Sequence, residues 1–531
     1  MPKGLSAVVA LMCALLLSLA VGGTASAETA TLSRVQIRSG DGVVIKASVA
    51  TPARMQPGKL YPGITFAAAW NGGDQQNTLP ALRLAQKGYV VFSYTTRGTG
   101  KDGDGKVSMG GPADRMDMSA TIDWLIAHKQ ADPQRIGAGG ISYGAGIALL
   151  TSAFDPRIRS VVSMSGWTDQ MRAFWPNQTR NAWATFILTQ SARMASHLGD
   201  EFLDIFSRFF QNRRIEENLQ FGAERSAQTY IDRINANAPA ILLSQQWNEM
   251  AFPPDQIIDF YNGLTGPKRM LLQPGDHVSQ ETLGLVGQNN RILNETYAWF
   301  DRTLKQAPDA AAKAGSITIR PRTPWGDKTL ETYPDWASVS TGTRRFWLGG
   351  GAKYRPMSDA PQPGWSTSFR PELSTDDGPG GPLVGNLPEA FSTRPFSGKL
   401  ANFTPTTRAL WLSDPLPERL RLRGAPHVRF TVTPQSHKGT VILTLLSLSP
   451  SNTTYLATHT PLTWLDKPIG VPITYDLPLR PTAFDFPQGH RLMLSISGAD
   501  LNYILDRNPK GARIALSSPA DAPTYLELPT R

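Results

Sequence analysis

Residues 135–150 read R-I-G-A-G-G-I-S-Y-G-A-G-I-A-L-L, and the fold turns on how this stretch is understood. A short apolar strand runs into Gly139-Gly140, then Ile141-Ser142-Tyr143-Gly144, and Ala145, Ile147, Ala148, Leu149 and Leu150 continue as helical text. A G-x-S-x-G spacing between strand and helix is that of a nucleophile elbow. The serine sits at the apex with strained backbone angles, and glycines on either side leave room for the tight approach. Gly140 and Gly144 supply that room. Such a turn lifts Ser142 Oγ out of the sheet, and the helix starting behind it aims backbone N–H groups at a developing oxyanion. The N–H of Tyr143 is therefore expected to be one oxyanion donor.

Working upstream, residues 34–38 and 43–49 alternate around S-G-D-G and read as an antiparallel hairpin. Buried strands at 61–69 and 89–95 flank a helix at 79–87, and a helix at 117–129 leads to the elbow strand. Strand, helix and strand at these lengths predict a parallel α/β sheet with right-handed crossovers, whose function gathers at the carboxyl ends of the strands. The loop after residue 69 is placed to give the second oxyanion donor, with the N–H of Trp70 the candidate. Its indole is equally suited to pack over the elbow. The loop T-R-G-T-G at 96–100, with Asp102 and Asp104, lacks the carboxylate spacing of a calcium loop and reads as a solvated turn bracing the site.

Downstream, residues 158–164 give the next strand. Residues 168–237 then carry no strand signal, only helical text rich in aromatics: Phe174, Trp175, Trp183, Phe186, Phe202, Phe206, Phe209 and Phe210. Helices inserted there would cap the strand ends, excluding water and shaping a pocket. Trp167, Phe174, Trp175 and Phe252 are the candidate pocket residues. Most of the remaining aromatics are expected to form the cap's own core.

The sheet resumes at 240–245, followed by W-N-E-M-A-F-P-P, and is expected to close at 269–273, followed by P-G-D-H. A serine nucleophile needs an imidazole base and a carboxylate that fixes its tautomer. Of the seven histidines, His277 is the one on a loop after that last strand. Glu249 lies just past its strand, where the orienting acid belongs, with Asp255 the alternative; Asp276 adjoins the histidine and is expected to point away.

Together T-T-R-G-T-G, G-G-I-S-Y-G, W-N-E-M-A-F-P-P and P-G-D-H resemble the cocaine esterase and X-prolyl dipeptidyl-peptidase family of α/β-hydrolases. The resemblance implies Ser142 as nucleophile, His277 as base, and Glu249 where that family usually has Asp. It also implies an all-β, jelly-roll-like domain after the hydrolase. Some members use a tyrosine hydroxyl as oxyanion donor where this chain has Trp70. The related amino-acid ester hydrolases carry an acid at the position of Gly144.

The rest of the chain fits this division. An amphipathic helix at 291–305 ends the hydrolase, and Gln306-Ala307-Pro308 begins a linker. Short strands follow at 316–320, 344–348, 409–412, 428–433, 441–447, 491–497 and 513–516, with a Gly/Pro-rich loop at 374–381. They predict a β-sandwich walling the site, or, taken alone, a carbohydrate-binding module. The expected domains are thus 28–305, including the cap at 168–237, and 306–531.

With 531 residues the chain exceeds one core. Lys3, an apolar run at 5–21 and Ala25-Ser26-Ala27 predict a secretory leader over 1–27 and a secreted or periplasmic protein. Cys13, the sole cysteine, lies in that leader, so neither a disulfide nor a thiol nucleophile is expected afterwards. The net charge of +10 is spread along the chain beside no nucleic-acid motif. No later stretch is apolar enough to span a bilayer. The reading is a serine hydrolase of small ester, amide or peptide substrates that uses no cofactor and no metal, binds no nucleic acid, and carries no signature of a particular oligomeric state. The other readings are an X-Pro dipeptidyl-peptidase and a non-catalytic binding protein on a decayed hydrolase fold.

Overall fold

The structure, a computed structural model, describes residues 30–100, 103–182, 197–305, 316–371, 387–504, 506 and 512–531. The expected leader, Trp183 and Phe186 of the cap, Asp102, the linker beginning at Gln306 and the loop at 374–381 lie outside the described residues.

Alternation of polar and apolar residues folds β1 (Ala30–Arg38) onto β2 (Val44–Pro52) as an antiparallel pair. The next strands, β3 (Tyr61–Ala67), β4 (Val90–Tyr94), β5 (Ala131–Ile141) and β6 (Ile158–Met164), are almost wholly buried. So are β8 (Ala240–Gln246) and β9 (Lys268–Gln273), which follow the two-residue β7 (Arg180–Asn181). Continuous apolar text is what a parallel sheet covered on both faces requires. From β4 to β9 every neighbouring pair in the main sheet is parallel.

The sheet order begins β1-β2-β4-β3-β5-β6-β8-β9, so the chain leaves β3 in one direction and returns to its other side as β5. The order reverses there, and Ser142 stands just beyond the carboxyl end of β5, at the crevice such a reversal creates. Helices Thr78–Gln86 and Arg291–Lys305 cover one face with Leu84, Ile292, Trp299, Phe300 and Leu304. Pro112–His128, Tyr143–Ser152 and Pro254–Gly263 cover the other. The helix expected from residue 117 starts earlier, because Pro112 fits the first turn after Gly111.

Sequence reading closed this sheet at Gln273, and the structure extends it. Beyond the linker, β10 (Ser316–Ile319) adds parallel to β9, and β11 (Glu331–Tyr333) pairs antiparallel with β10. Ile317 and Ile319 are fully buried in the hydrolase core, which fixes that strand to the first unit rather than the second.

Between β6 and β8 lie helices Gln170–Phe174, Asp200–Gln211, Ile215–Glu224 and Ile231–Asn237. The strand β7 interrupts this helical text and pairs with Tyr503–Ile504 of the C-terminal unit. Two residues carry no periodic signal, so only the paired partner reveals it.

The C-terminal unit is β-rich and mostly antiparallel. The foreseen strands appear at Gly342–Leu348, Arg408–Leu412, His427–Thr433, Gly439–Leu448, Arg491–Ser497 and Ile514–Ser518. Further strands include Thr453–Trp464, Thr482–Phe486 and Tyr525–Thr530. Trp411, Phe430, Leu443, Phe484 and Leu494 fill one core between them. Against the hydrolase, Asn177 Nδ2 donates to the Pro461 carbonyl at 3.0 Å, and the Thr179 and Thr463 hydroxyls lie 2.8 Å apart. Among the described residues no helix is long and apolar enough to cross a membrane.

Candidate active site

At the end of β5 the backbone turns sharply, and Ser142 takes φ 55° and ψ −114°. L-residues rarely hold such angles, so the neighbours must be minimal. A Cβ at Gly140 would sit 2.4 Å from the Gly144 carbonyl carbon, and one at Gly144 would sit 2.1 Å from the Ala67 oxygen. Both contacts are with backbone, which cannot yield. The turn is anchored by Ser142 N–H donating to the Met164 carbonyl at 2.8 Å.

Ser142 Oγ lies 2.8 Å from His277 Nε2, and His277 Nδ1 lies 2.9 Å from Glu249 Oε1. With imidazole neutral, Nδ1–H donates to the carboxylate and Nε2 accepts the serine proton. Glu249 is fully buried, and Oε1 also accepts from the backbone N–H groups of Ala251 and Phe252 at 2.9 and 3.2 Å. Three donors on one oxygen hold the carboxylate in a single rotamer. Burial pulls the His277 pKa down, but the charge and hydrogen bond of Glu249, with Asp276 and Glu281 behind it, outweigh this and raise it above the ordinary 6.5.

The loops carrying acid and base are tied to each other. Asp276 Oδ1 accepts from Met250 N–H at 3.0 Å and His277 N–H at 2.7 Å, while Asn248 N–H donates to the Gly275 carbonyl at 3.1 Å. Behind them, buried Glu281 accepts from Ser165 Oγ at 2.9 Å and from Gln246 Nε2 at 3.0 Å, and burial raises its pKa. Asp255, the alternative acid, does not reach the histidine. It is the second residue of helix Pro254–Gly263 and pairs with Arg172 Nε at 2.8 Å.

Tyr143 opens the elbow helix, so its N–H is one of the donors without an intrahelical acceptor. In the facing loop, Ala68 N–H is taken by the Tyr94 carbonyl and Ala69 N–H by Gln76 Oε1, while Trp70 N–H bonds to no described residue. The Trp70 ring also packs over the elbow. It meets the Tyr143 ring edge-on at 5.2 Å and stacks on Phe202 at 6.0 Å, leaving its buried Nε1 without a partner among the described residues.

The T-R-G-T-G loop is buried rather than solvated, which corrects the sequence reading. Arg97 is 6 % exposed, donates from Nε to Asp117 Oδ2 at 2.7 Å, and reaches Asp41 at 2.7 Å. Its bracing role is visible at Gly100, whose N–H donates to Asn71 Oδ1 at 3.0 Å, next to Trp70. Below the elbow, Tyr143 OH donates to Asp114 Oδ2 at 2.8 Å, and burial with Asp117 nearby pushes Asp114 up to about 7.

Of the four candidate pocket residues, Phe252 meets the His277 ring at 5.4 Å and Phe174 at 5.9 Å, and Phe174 lines a small cap cavity. Trp167 is a packing residue under the elbow helix, where a Cβ at Gly146 would strike its ring, and it lines neither cap cavity. Trp175 packs against the core and lines neither. Cavity walls that the sequence reading did not assign come from Met109, Gln170, Phe206, Asn218 and Phe221. Of these, Phe206 was read as part of the cap's own core, and only the fold distinguishes a core from a cavity wall. Among the described residues no three His, Cys, Asp or Glu side chains converge as a metal site would need.

Residues 41–279 match the family described as X-Pro dipeptidyl-peptidase (S15 family), and 312–524 match the X-Pro dipeptidyl-peptidase C-terminal non-catalytic domain. An uncharacterised protein of Escherichia coli, YcjY, is 30 % identical over 125 residues, which is 23 % of this chain and 41 % of that protein. The chain spans less than half the length of the curated relatives it matches. Among solved structures, a CocE/NonD family hydrolase from Staphylococcus aureus superposes with TM-score 0.71 at 11 % identity, covering 94 % of each chain. An α-amino acid ester hydrolase superposes with TM-score 0.69 at 16 % identity, covering 97 % of this chain and 99 % of that one. At these identities the superpositions establish the shared fold.

Proposed function

The chain belongs to the X-Pro dipeptidyl-peptidase (S15) family of α/β-hydrolases, and from that premise we propose that it is a serine hydrolase cleaving ester or amide bonds through an acyl-enzyme. The observation carrying this reading is the hydrogen-bonded line from Ser142 Oγ through His277 to Glu249.

In the proposed reaction, Ser142 Oγ attacks the substrate carbonyl carbon as His277 Nε2 takes its proton, and Glu249 stabilises the imidazolium. The carbonyl electron pair moves onto oxygen, facing the N–H groups of Tyr143 and Trp70. Collapse of the tetrahedral intermediate expels the alcohol or amine, which receives the proton from His277. Water, deprotonated by the same imidazole, then attacks the acyl-serine and regenerates the enzyme. The substrate class is a small ester, amide or peptide. The described residues that wall the cap cavities are apolar or neutral polar, which supports a neutral acyl group over one bearing a charged amine.

We also propose that the protein acts after export, in the periplasm or outside the cell, on the strength of the apolar run and Ala25-Ser26-Ala27. A fluorophosphonate label, a panel of p-nitrophenyl esters and X-Pro-p-nitroanilides test the activity together. Labelling of Ser142 with ester turnover supports the reading. Turnover confined to X-Pro-p-nitroanilides would move the assignment to a dipeptidyl-peptidase, and an unlabelled, inert protein would leave the binding-only reading.

A further inference from the structure

Among the buried polar groups of the cap that the reaction above leaves unused is the side-chain amide of Asn218. Asn218, on helix Ile215–Glu224, is 1 % exposed, and neither Oδ1 nor Nδ2 has a hydrogen-bond partner among the described residues. A buried amide left unpaired costs free energy that an apolar side chain would not, so such a group calls for a ligand or another explanation. Asn218 lines a cavity of about 30 Å³ together with Met109, Gln170, Phe174 and Phe206.

Two lines of aromatic rings connect that cavity to the reacting residues. Phe174 meets Phe252 at 5.9 Å, and Phe252 meets His277 at 5.4 Å. From the other side, Phe206 stacks on Phe202 at 4.3 Å, Phe202 on Trp70 at 6.0 Å, and Trp70 abuts Tyr143 at 5.2 Å. Phe206 also belongs to the wall of a larger cavity of about 260 Å³, with Leu198, Phe202 and Phe210. An apolar space joined to the elbow and to His277 through the rings of Trp70 and Phe252 thus contains, among the described residues, an uncommitted amide.

Resting on the serine-hydrolase reading, we propose that this region is the acyl subsite and that Asn218 reads a neutral amide group, C(=O)–N–H, in the acyl portion of the substrate. An asparagine side chain offers an acceptor and a donor in one plane. A substrate amide presents the complementary pair, whereas a plain ester or ether would satisfy one half. An ionised group is disfavoured, because among the described residues the wall holds no charged side chain to pair with it. The apolar end of the acyl chain lies along the phenylalanines.

The test uses the full chain and two p-nitrophenyl esters of equal chain length: that of N-benzoylglycine, which carries the amide, and that of 4-phenylbutanoic acid, which replaces it by two methylenes. With spontaneous hydrolysis subtracted, the ratio of kcat/KM values should favour the amide ester by about tenfold or more in the wild type, and fall by about that factor in Asn218→Leu. The variant should also melt at or above the wild-type Tm, because it replaces an unpaired buried amide by an apolar group of the same branching whose extra bulk enters the adjoining cavity. A wild-type ratio near one, a ratio unchanged in Asn218→Leu, or a lowered Tm or insolubility of that variant would each overturn the proposal. Fluorophosphonate labelling separates the two readings. A flat ratio with Ser142 labelled removes only the amide subsite, whereas no labelling and no turnover removes the hydrolase reading and the subsite with it.

Discussion

Glu249 Oε1 lies 2.9 Å from His277 Nδ1 and is at the same time the acceptor for the N–H groups of Ala251 and Phe252. One oxygen therefore both orients the imidazole and knits the loop that carries it. Glu249→Gln keeps the size and the carbonyl acceptor but removes the charge, so kcat should fall by about a thousandfold or more with little change in KM. Asp255→Asn should cost little turnover, since that carboxylate faces Arg172. Steady-state kinetics on the two variants decide it: a crippled Asp255→Asn beside an active Glu249→Gln would reverse the assignment.

The same pair sets a pH dependence. His277 must be neutral to accept the serine proton, and its pKa is raised above 6.5 because Glu249, Asp276 and Glu281 outweigh burial. Activity should accordingly be lost as pH falls through that raised value, and the acid limb of kcat/KM should lie above 6.5. Glu249→Gln removes the largest raising influence and leaves burial, so its residual activity should have an acid limb displaced to lower pH. A limb that stays in place would show that another group governs it.

How much of this was legible in the sequence varies with how local the cause is. The elbow was readable because its two glycines lie within five residues and both are sterically required, Gly140 by the Gly144 backbone and Gly144 by the backbone of Ala67. Arg97 was read as part of a solvated turn because its partners, buried Asp117 and exposed Asp41, are 20 and 56 residues away. Strand Ser316–Ile319 was foreseen as a strand but given to the wrong sheet, because four buried residues do not say which edge they join. Strand Thr453–Trp464 was missed altogether. Its threonines look like a solvated face, yet Thr460 and Thr463 are buried against Asn177 and Thr179 of the hydrolase. A face buried between units keeps polar side chains that pair across the interface, and polarity alone then misleads.

The strand beyond the linker makes a prediction about truncation. A chain ending near residue 305 would lose β10 and β11, baring the hydrogen-bonding edge of β9 and the apolar surface that Ile317 and Ile319 cover. Such edges pair with other chains. The truncated protein should aggregate on expression, while one ending near residue 340 should be more soluble. Size-exclusion chromatography distinguishes them, and equal behaviour would mean that β10 is not needed to close the sheet.

The last prediction concerns the join between the units, which runs directly to the acid loop. Arg322 is fully buried and donates from Nη1 to Asn248 Oδ1 at 2.8 Å and from Nη2 to Thr482 Oγ1 at 2.7 Å, with the Ala457 carbonyl also bound. Glu389 stands 3.5 Å from the guanidinium and accepts from Asn248 Nδ2. Burial pushes Glu389 up to about 7, against the opposing pull of Arg322. Asn248 immediately precedes Glu249, so the C-terminal unit holds the acid loop by its neighbour. Arg322→Met strands a buried acid and several acceptors, and should cost about 3–5 kcal/mol. Adding Glu389→Gln, which removes the abandoned charge, should recover part of that loss. A double-mutant cycle read by denaturant unfolding, with kcat measured on each soluble variant, tests both halves. Additive losses with no recovery would mean that Arg322 and Glu389 act separately, and unchanged kcat in a folded Arg322→Met would sever the join from the orientation of Glu249.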